Sequence, residues 1–221
     1  PAVRRSLKAE LAVMGQILGS RMFWRYGPAV AMLSILNFTY LGLWAGPWLR
    51  DVAGYDSPAR AYTLLLYTLA MTAGNLVSGQ LSSRVQARGR SALLVPGICF
   101  AGLLVAQVGL MLQPSSAAAV TVLWVLFAFF GAGGPTGYIA VGQMFPAEQM
   151  GRVSTAVNTL TLLGAFFLQA AIGWILDLWP RTTAGGWDPK GYSAALALSV
   201  AVQLFVAAQL AGWSPFRRRR G

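Results

Sequence analysis

Histidine is absent from the 221 residues, cysteine occurs once, and aspartate and glutamate together number six. Each shortage removes a class of chemistry. Without histidine there is no imidazole base, no His-ligated zinc or haem, and no Ser–His or Cys–His nucleophile pair. The lone Cys99 stands in an apolar run, so neither a disulfide framework nor a thiolate metal site can be built. Charged residues make up 10% of the chain, against about 25% in soluble domains. A water-soluble surface with so few charges would expose apolar patches larger than monomers carry. These absences exclude a soluble fold and leave little for an enzyme to work with, so no catalytic residue, metal or cofactor is expected.

What is abundant agrees with this. Hydrophobic residues reach 56%. Crossing a hydrocarbon core of about 30 Å takes roughly 20 apolar residues in helical form. Six runs of that order stand at about 27–49, 61–83, 92–112, 119–143, 154–177 and 192–213. They lack strict alternation, and lipid demands that every backbone amide be satisfied internally, so they are helices rather than barrel strands. The expected fold is an all-α membrane protein with six transmembrane helices. It is flanked by a cytoplasmic linker at 1–26 and a basic tail at 214–221. In the linker Leu7, Leu11, Met14, Leu18 and Met22 recur near helical spacing among basic residues, the pattern of an amphipathic helix lying on a leaflet. A loosely ordered tether is the alternative. The chain begins at Pro1 with no signal-peptide layout, and reads as a piece of a longer protein or a processed chain.

The net charge of +11 is set by 17 Lys and Arg that lie between the apolar runs rather than on one polar face, which argues for topology and against nucleic acid as a partner. With the N-terminus inside, the inner segments carry Arg4, Arg5, Lys8, Arg21, Arg25, Arg84, Arg88, Arg90, Arg152 and Arg217–Arg220. The outer segments carry only Arg50, Arg60, Arg181 and Lys190. That bias places both termini in the cytoplasm.

Polar residues inside the spans mark the helices that face something other than lipid. Span one has Asn37, Tyr40 and Trp44 on one face; span two has Thr68, Thr72, Asn75 and Gly79 on one stripe. Span four offers Thr136, Tyr138 and Gln143, and span five Asn158, Thr161 and Gln169. Spans three and six are plainer. Helices one, two, four and five are therefore expected to line a cavity, with Asn37, Tyr40, Trp44, Thr72, Asn75, Tyr138, Asn158 and Gln169 as its candidate wall. Ordinary bonding between helices is the competing reading for each residue taken singly. Gly46-Pro47 in span one and Gly134-Pro135 in span four are candidate kinks at equivalent places, which suggests two three-helix units of inverted topology. No charged residue lies near the centre of any span; Asp51 and Asp177 sit at outer ends.

Three stretches carry a family resemblance. Gly79-Gln80-Leu81-Ser82-Ser83-Arg84-Val85-Gln86-Ala87-Arg88-Gly89-Arg90 resembles the G-x-L-x-D-R-x-G-R-[KR] loop of the major facilitator superfamily, with Ser83 in place of its Asp. Phe145-Pro146 followed by Arg152 resembles the F-P-x-x-x-x-x-R loop between helices ten and eleven. Gly42–Asp51 is similar to helix seven of bacterial members. The resemblance implies that the chain is the second half of a twelve-helix bundle, that residues 1–26 are the linker between halves, and that an N-terminal six-helix half of the same protein is the missing partner. It implies alternating access for a small solute, a multi-pass location in the bacterial inner membrane, and cytoplasmic gating loops in which Gly79, Arg84, Arg88, Glu148 and Arg152 take part. The alternative is a stand-alone six-helix module, either a homodimeric half-transporter or a non-transporting anchor.

Overall fold

The computed structural model describes residues 7–183 and 185–210; Arg4, Arg5, the end of the sixth run at 213 and the tail 214–221 lie outside the described residues. Among the described residues every regular element is a helix. The first described element is a short helix, α1 (Leu7–Gly19). Ser20 then caps the next helix, its Oγ accepting the Met22 N–H at 3.2 Å. This Gly-Ser junction separates the two helices, so α2 (Arg21–Thr39) begins earlier than the apolar run at 27 and takes in residues 21–26, which the sequence reading assigns to the linker. A π-helical turn, Tyr40–Trp44, and α3 (Ala45–Asp51) continue the same rod. Arg21–Asp51 thus runs 31 residues, roughly 46 Å at 1.5 Å per residue.

The remaining helices are α4 (Ser57–Ala87), α5 (Leu94–Met111), α6 (Ala117–Gly131), α7 (Gly134–Gly142), α8 (Met150–Leu176) and α9 (Pro189–Leu210). Asp56 caps α4 through the Ala59 N–H, with Pro58 in the first turn, where its missing N–H costs nothing. Five rods are long and apolar enough to cross a membrane: Arg21–Asp51, Leu94–Met111, Ala117–Gly142, Ala147–Leu176 and Pro189–Leu210. Helix α4 has the length, at 31 residues, but its many Thr, Ser, Gln and Asn side chains dilute its apolar character.

Helix α2 is the hub. Ala29 to Asn37 are buried without interruption, packed against α7, α8 and α9, with α5 and α6 also in contact. Glycines make the close approaches possible. A Cβ on Gly137 would stand 2.6 Å from Val30, one on Gly164 2.5 Å from Ile35, and one on Gly134 would overlap Ser34 Oγ. On the other side α4 crosses α6 at Gly74, whose α-carbon faces the Phe129 carbonyl. Helices α5 and α9 are joined by a buried amide pair, Gln107 to Gln203, and Gln203 Nε2 also donates to Phe100 O at 2.9 Å.

The two ends of the bundle are tied differently. At the arginine-rich end the Arg152 guanidinium grips Glu10 of α1 with both carboxylate oxygens, at 2.6 and 2.7 Å. There also Gln143 reaches Gln86, and Arg25 donates to Leu210 O. At the opposite end Asp51 is the knot. Its Oδ2 accepts from Tyr192 OH at 2.7 Å and from the Trp187 N–H at 3.0 Å, while Arg50 pairs with the same carboxylate. Gly186 lies so close to this carboxylate that no side chain fits there.

Candidate functional site

The irregular turn of the first rod is where the sequence-read residues converge. Pro47 has no N–H to give the Leu43 carbonyl, so a regular ladder cannot pass this point. Just before it the chain widens, and the Ala45 N–H bonds to Tyr40 O, five residues back. Gln169 of α8 clasps this turn from outside: its Nε2 donates to Phe38 O at 3.2 Å and lies 3.3 Å from where a Gly42 Cβ would be. In return Trp44 Nε1 donates to Gln169 O at 3.2 Å, with its ring edge-to-face on Trp187. Such π turns are frequent where helices serve a function.

One helical step inward, Asn37 is buried and fully bonded. Its Nδ2 donates to Ala128 O at 3.2 Å, and its Oδ1 accepts from Tyr67 OH at 2.7 Å, so it ties α2 to both α6 and α4. Gly131 provides the space for the amide. Tyr40 OH meets Ser199 Oγ at 3.0 Å, and its ring packs in an aromatic group with Trp124, Phe127 and, through Trp124, Trp48 and Tyr67. Tyr138 of α7 is half-buried and shares a 2.7 Å bond with Thr161 Oγ1 of α8.

The other sequence-read wall residues stand on open faces. On α4 the buried line Thr63, Tyr67, Gly74, Ser78 and Ser82 meets α6. Thr68, Thr72 and Asn75 form an exposed stripe turned away from it, each bonding only to its own helix backbone, as with Asn75 Nδ2 to Met71 O at 3.0 Å. On α8, Asn158 and Gln169 share a stripe with Thr155 and Leu162; Asn158 is exposed and Gln169 half-buried. Phe38 and Leu43 of the first rod are 43% and 49% exposed. Asn37, Tyr40, Trp44 and Gln169 are therefore brought together around one turn, Tyr138 sits with Thr161, and Thr72, Asn75 and Asn158 face outward on two separate helices.

Helix irregularities adjoin both Gly-Pro pairs. Gly46 and Pro47 follow the π turn, and Gly134 and Pro135 open α7 directly after the break at Ala132-Gly133. Of the loop residues, Gly79 is half-buried within α4 rather than in a loop, the side chains of Arg84 and Arg88 are exposed and make no hydrogen bond or ion pair among the described residues, and the Glu148 carbonyl accepts from Arg152 Nη1 at 2.7 Å. Tyr67, Ser199 and Glu10 escape sequence reading because each matters only through a partner on a distant helix, whereas Thr161 is already marked by its place on span five. Among the described residues no three His, Cys, Asp or Glu gather in a group able to hold a metal.

Asn37 carries a checkable consequence. Asn37→Ala leaves Tyr67 OH unpaired inside the bundle and the Ala128 carbonyl with only the Ala132 N–H, and helix-to-helix bonds of this kind are worth about 0.6–2 kcal/mol in a membrane. Thermal unfolding in detergent should show a loss of that order, and adding Tyr67→Phe should cost little more, since both remove one shared link. Full additivity of the two losses would show that the bond is not made.

Residues 1–169 match the family model of the Major Facilitator Superfamily, a match that takes in everything from α1 to Gln169 of α8. No curated protein matches the sequence.

Proposed function

The chain belongs to the major facilitator superfamily, a family of membrane transporters, and from that premise we propose that it is the C-terminal six-helix half of a secondary active transporter. That it is a multi-pass, transporter-type membrane protein follows from the family and its apolar helices. In the proposed arrangement α4 crosses as the sixth span, and α2–α5 and α6–α9 form two three-helix units of opposite orientation. The arginine-rich end lies in the cytoplasm, and the membrane is a bacterial inner membrane. A second six-helix half covers the open faces of α4 and α8, and the two halves rock about a small solute held near the midplane.

The observation that carries this reading is the pair of exposed polar stripes, Thr68–Thr72–Asn75 and Thr155–Asn158, on helices long enough to cross lipid. An amide turned to hydrocarbon is costly, so both stripes face a watery cavity or another protein surface. The first rod lies between α4 and α8 by its contacts, with Phe38 and Leu43 open. Its π turn would let the outer segment α3 tilt while α2 stays packed. No charge lines these stripes, so any coupling carboxylate belongs to the other half.

Labelling tests this. In the complete protein embedded in membranes, Asn75→Cys and Asn158→Cys should react with a hydrophilic maleimide, while Val105→Cys on the exposed side of α5 should not. Cys99, the one thiol of these 221 residues, is buried and gives a low background, and any cysteine of the other half is first replaced by serine. If both test positions were as inert as Val105→Cys, the stripes would face lipid and the cavity reading would fail.

A further inference from the structure

At the arginine-rich end, α2, α5 and α9 splay apart and leave a crevice of about 200 Å³. Its walls are Tyr26, Ala29, Val30 and Leu33 of α2, Leu93 with Pro96, Gly97 and Phe100 of α5, and Ala207 with Leu210 of α9. Apart from the phenol of Tyr26, no polar side chain faces it. From Tyr26 to Leu33 the crevice follows α2 over eight residues, roughly 10 Å of helix, so it stays within one leaflet of a core about 30 Å thick. Its mouth is basic. Arg25 lies over the Tyr26 ring at 5.5 Å and spends two of its five N–H donors on the carbonyl of Leu210, itself part of the wall. Arg21 shares the start of α2, and Arg88 and Arg90 lead into Leu93. No acidic residue lines the crevice.

An apolar slot contained within one leaflet beneath a cationic rim suits the upper part of an acyl chain of a phospholipid with a negative headgroup. We propose that this crevice binds one acyl chain of an anionic phospholipid from the arginine-rich leaflet, with Arg25 holding the phosphate. The site is separate from the π turn and from the open polar stripes, and it stands whether or not the transport reading holds. Neutral lipids would fill the slot equally well but lose the contact at the rim, so the headgroup sets the preference and the slot sets the stoichiometry.

Gly97 provides a clean way to close the slot, because a Cβ there meets nothing within 4 Å. The whole protein, purified in a non-ionic detergent, is mixed with phosphatidylglycerol and phosphatidylcholine of equal chain length, and retained lipid is counted by native mass spectrometry. The wild-type protein should hold one phosphatidylglycerol with a several-fold preference over phosphatidylcholine. Gly97→Phe, and independently Ala207→Phe from the facing wall, should remove that retained lipid without altering thermal unfolding. Arg25→Gln should keep a lipid but bring the preference close to unity. Undiminished retention in both slot-filling variants would overturn the proposal, as would an unchanged preference in Arg25→Gln. A several-fold rise in retention on deleting residues 211–221 would assign the slot to the chain's own tail and would overturn it too.

Discussion

Gly74→Ala should lower the unfolding temperature of the purified protein by several degrees. The methyl group it adds points at the Phe129 carbonyl and lies 3.0 Å from the Ala132 methyl, at the crossing of α4 and α6. A clash with a side-chain tip relaxes by rotation; a clash with a backbone oxygen requires the helices to move apart. Overpacking of this type costs about 1–3 kcal/mol, and each kcal/mol is roughly 2–4 °C for a chain of this length. Gly79→Ala in the same helix is the control. Nothing lies within 4 Å of its Cβ position, and alanine favours helix by up to about 1 kcal/mol. The expected ordering is therefore Gly79→Ala at or above wild type and Gly74→Ala well below it. Equal melting of the two variants would mean that α4 and α6 do not cross at Gly74.

Asp51→Ala should be comparably damaging, by a different route. The Asp51 side chain is only 4% exposed and accepts from the Tyr192 phenol, the Trp187 amide and the Arg50 guanidinium. Removing it strands the buried Tyr192 phenol on α9 and the half-buried Trp187 amide on the segment before it, at about 1–3 kcal/mol for a fully buried donor and less for the second. The Arg50 contribution is small, because that guanidinium is 45% exposed and its pairing is screened by water. A loss of about 3 kcal/mol follows, accompanied by release of the Trp187 loop. Iodide quenching of tryptophan fluorescence reads the second effect directly. Asp51→Asn should fall between, since its amide oxygen in the Oδ2 place still accepts both bonds while its NH2 group turns a donor toward Arg50 in place of a carboxylate oxygen. If Asp51→Ala unfolds like wild type with unchanged quenching, the carboxylate does not hold α3 to α9.

These two sites differ in how far the sequence announces them. Asp51 stands out as an acid at a span end, but its partners lie more than 130 positions along the chain. The helices themselves are legible, because lipid leaves the backbone no alternative and runs of twenty apolar residues have one use. The stripe Thr68–Thr72–Asn75 is legible for the same reason: helical spacing alone places it on one face, and the structure puts that face in the open. Asn37 shares its helical face with Tyr40 and Trp44, but spacing cannot tell an amide that lines a cavity from one bonded to Tyr67 and Ala128. The break between α6 and α7 is signalled by three glycines and a proline, whereas the π turn has only Pro47 to mark it. The Arg152–Glu10 grip needed both ends of the fold at once: a conspicuous arginine in the Phe145–Arg152 loop, and a glutamate in a linker helix with no distinguishing pattern around it.

The π turn also has a consequence for chain length. A ring closed five residues back uses one more residue than a ring closed four back, so Tyr40–Trp44 holds a surplus residue that a regular helix would have to express as a rotation of about 100°. Because the surplus is stored in the turn, α2 and α3 keep independent angular phases. Asn37 can point at α4 and α6 while Asp51, on the same rod, points at α9. The first rod is in effect two helices spliced out of step, and the splice lets one segment of chain serve two different sets of neighbours.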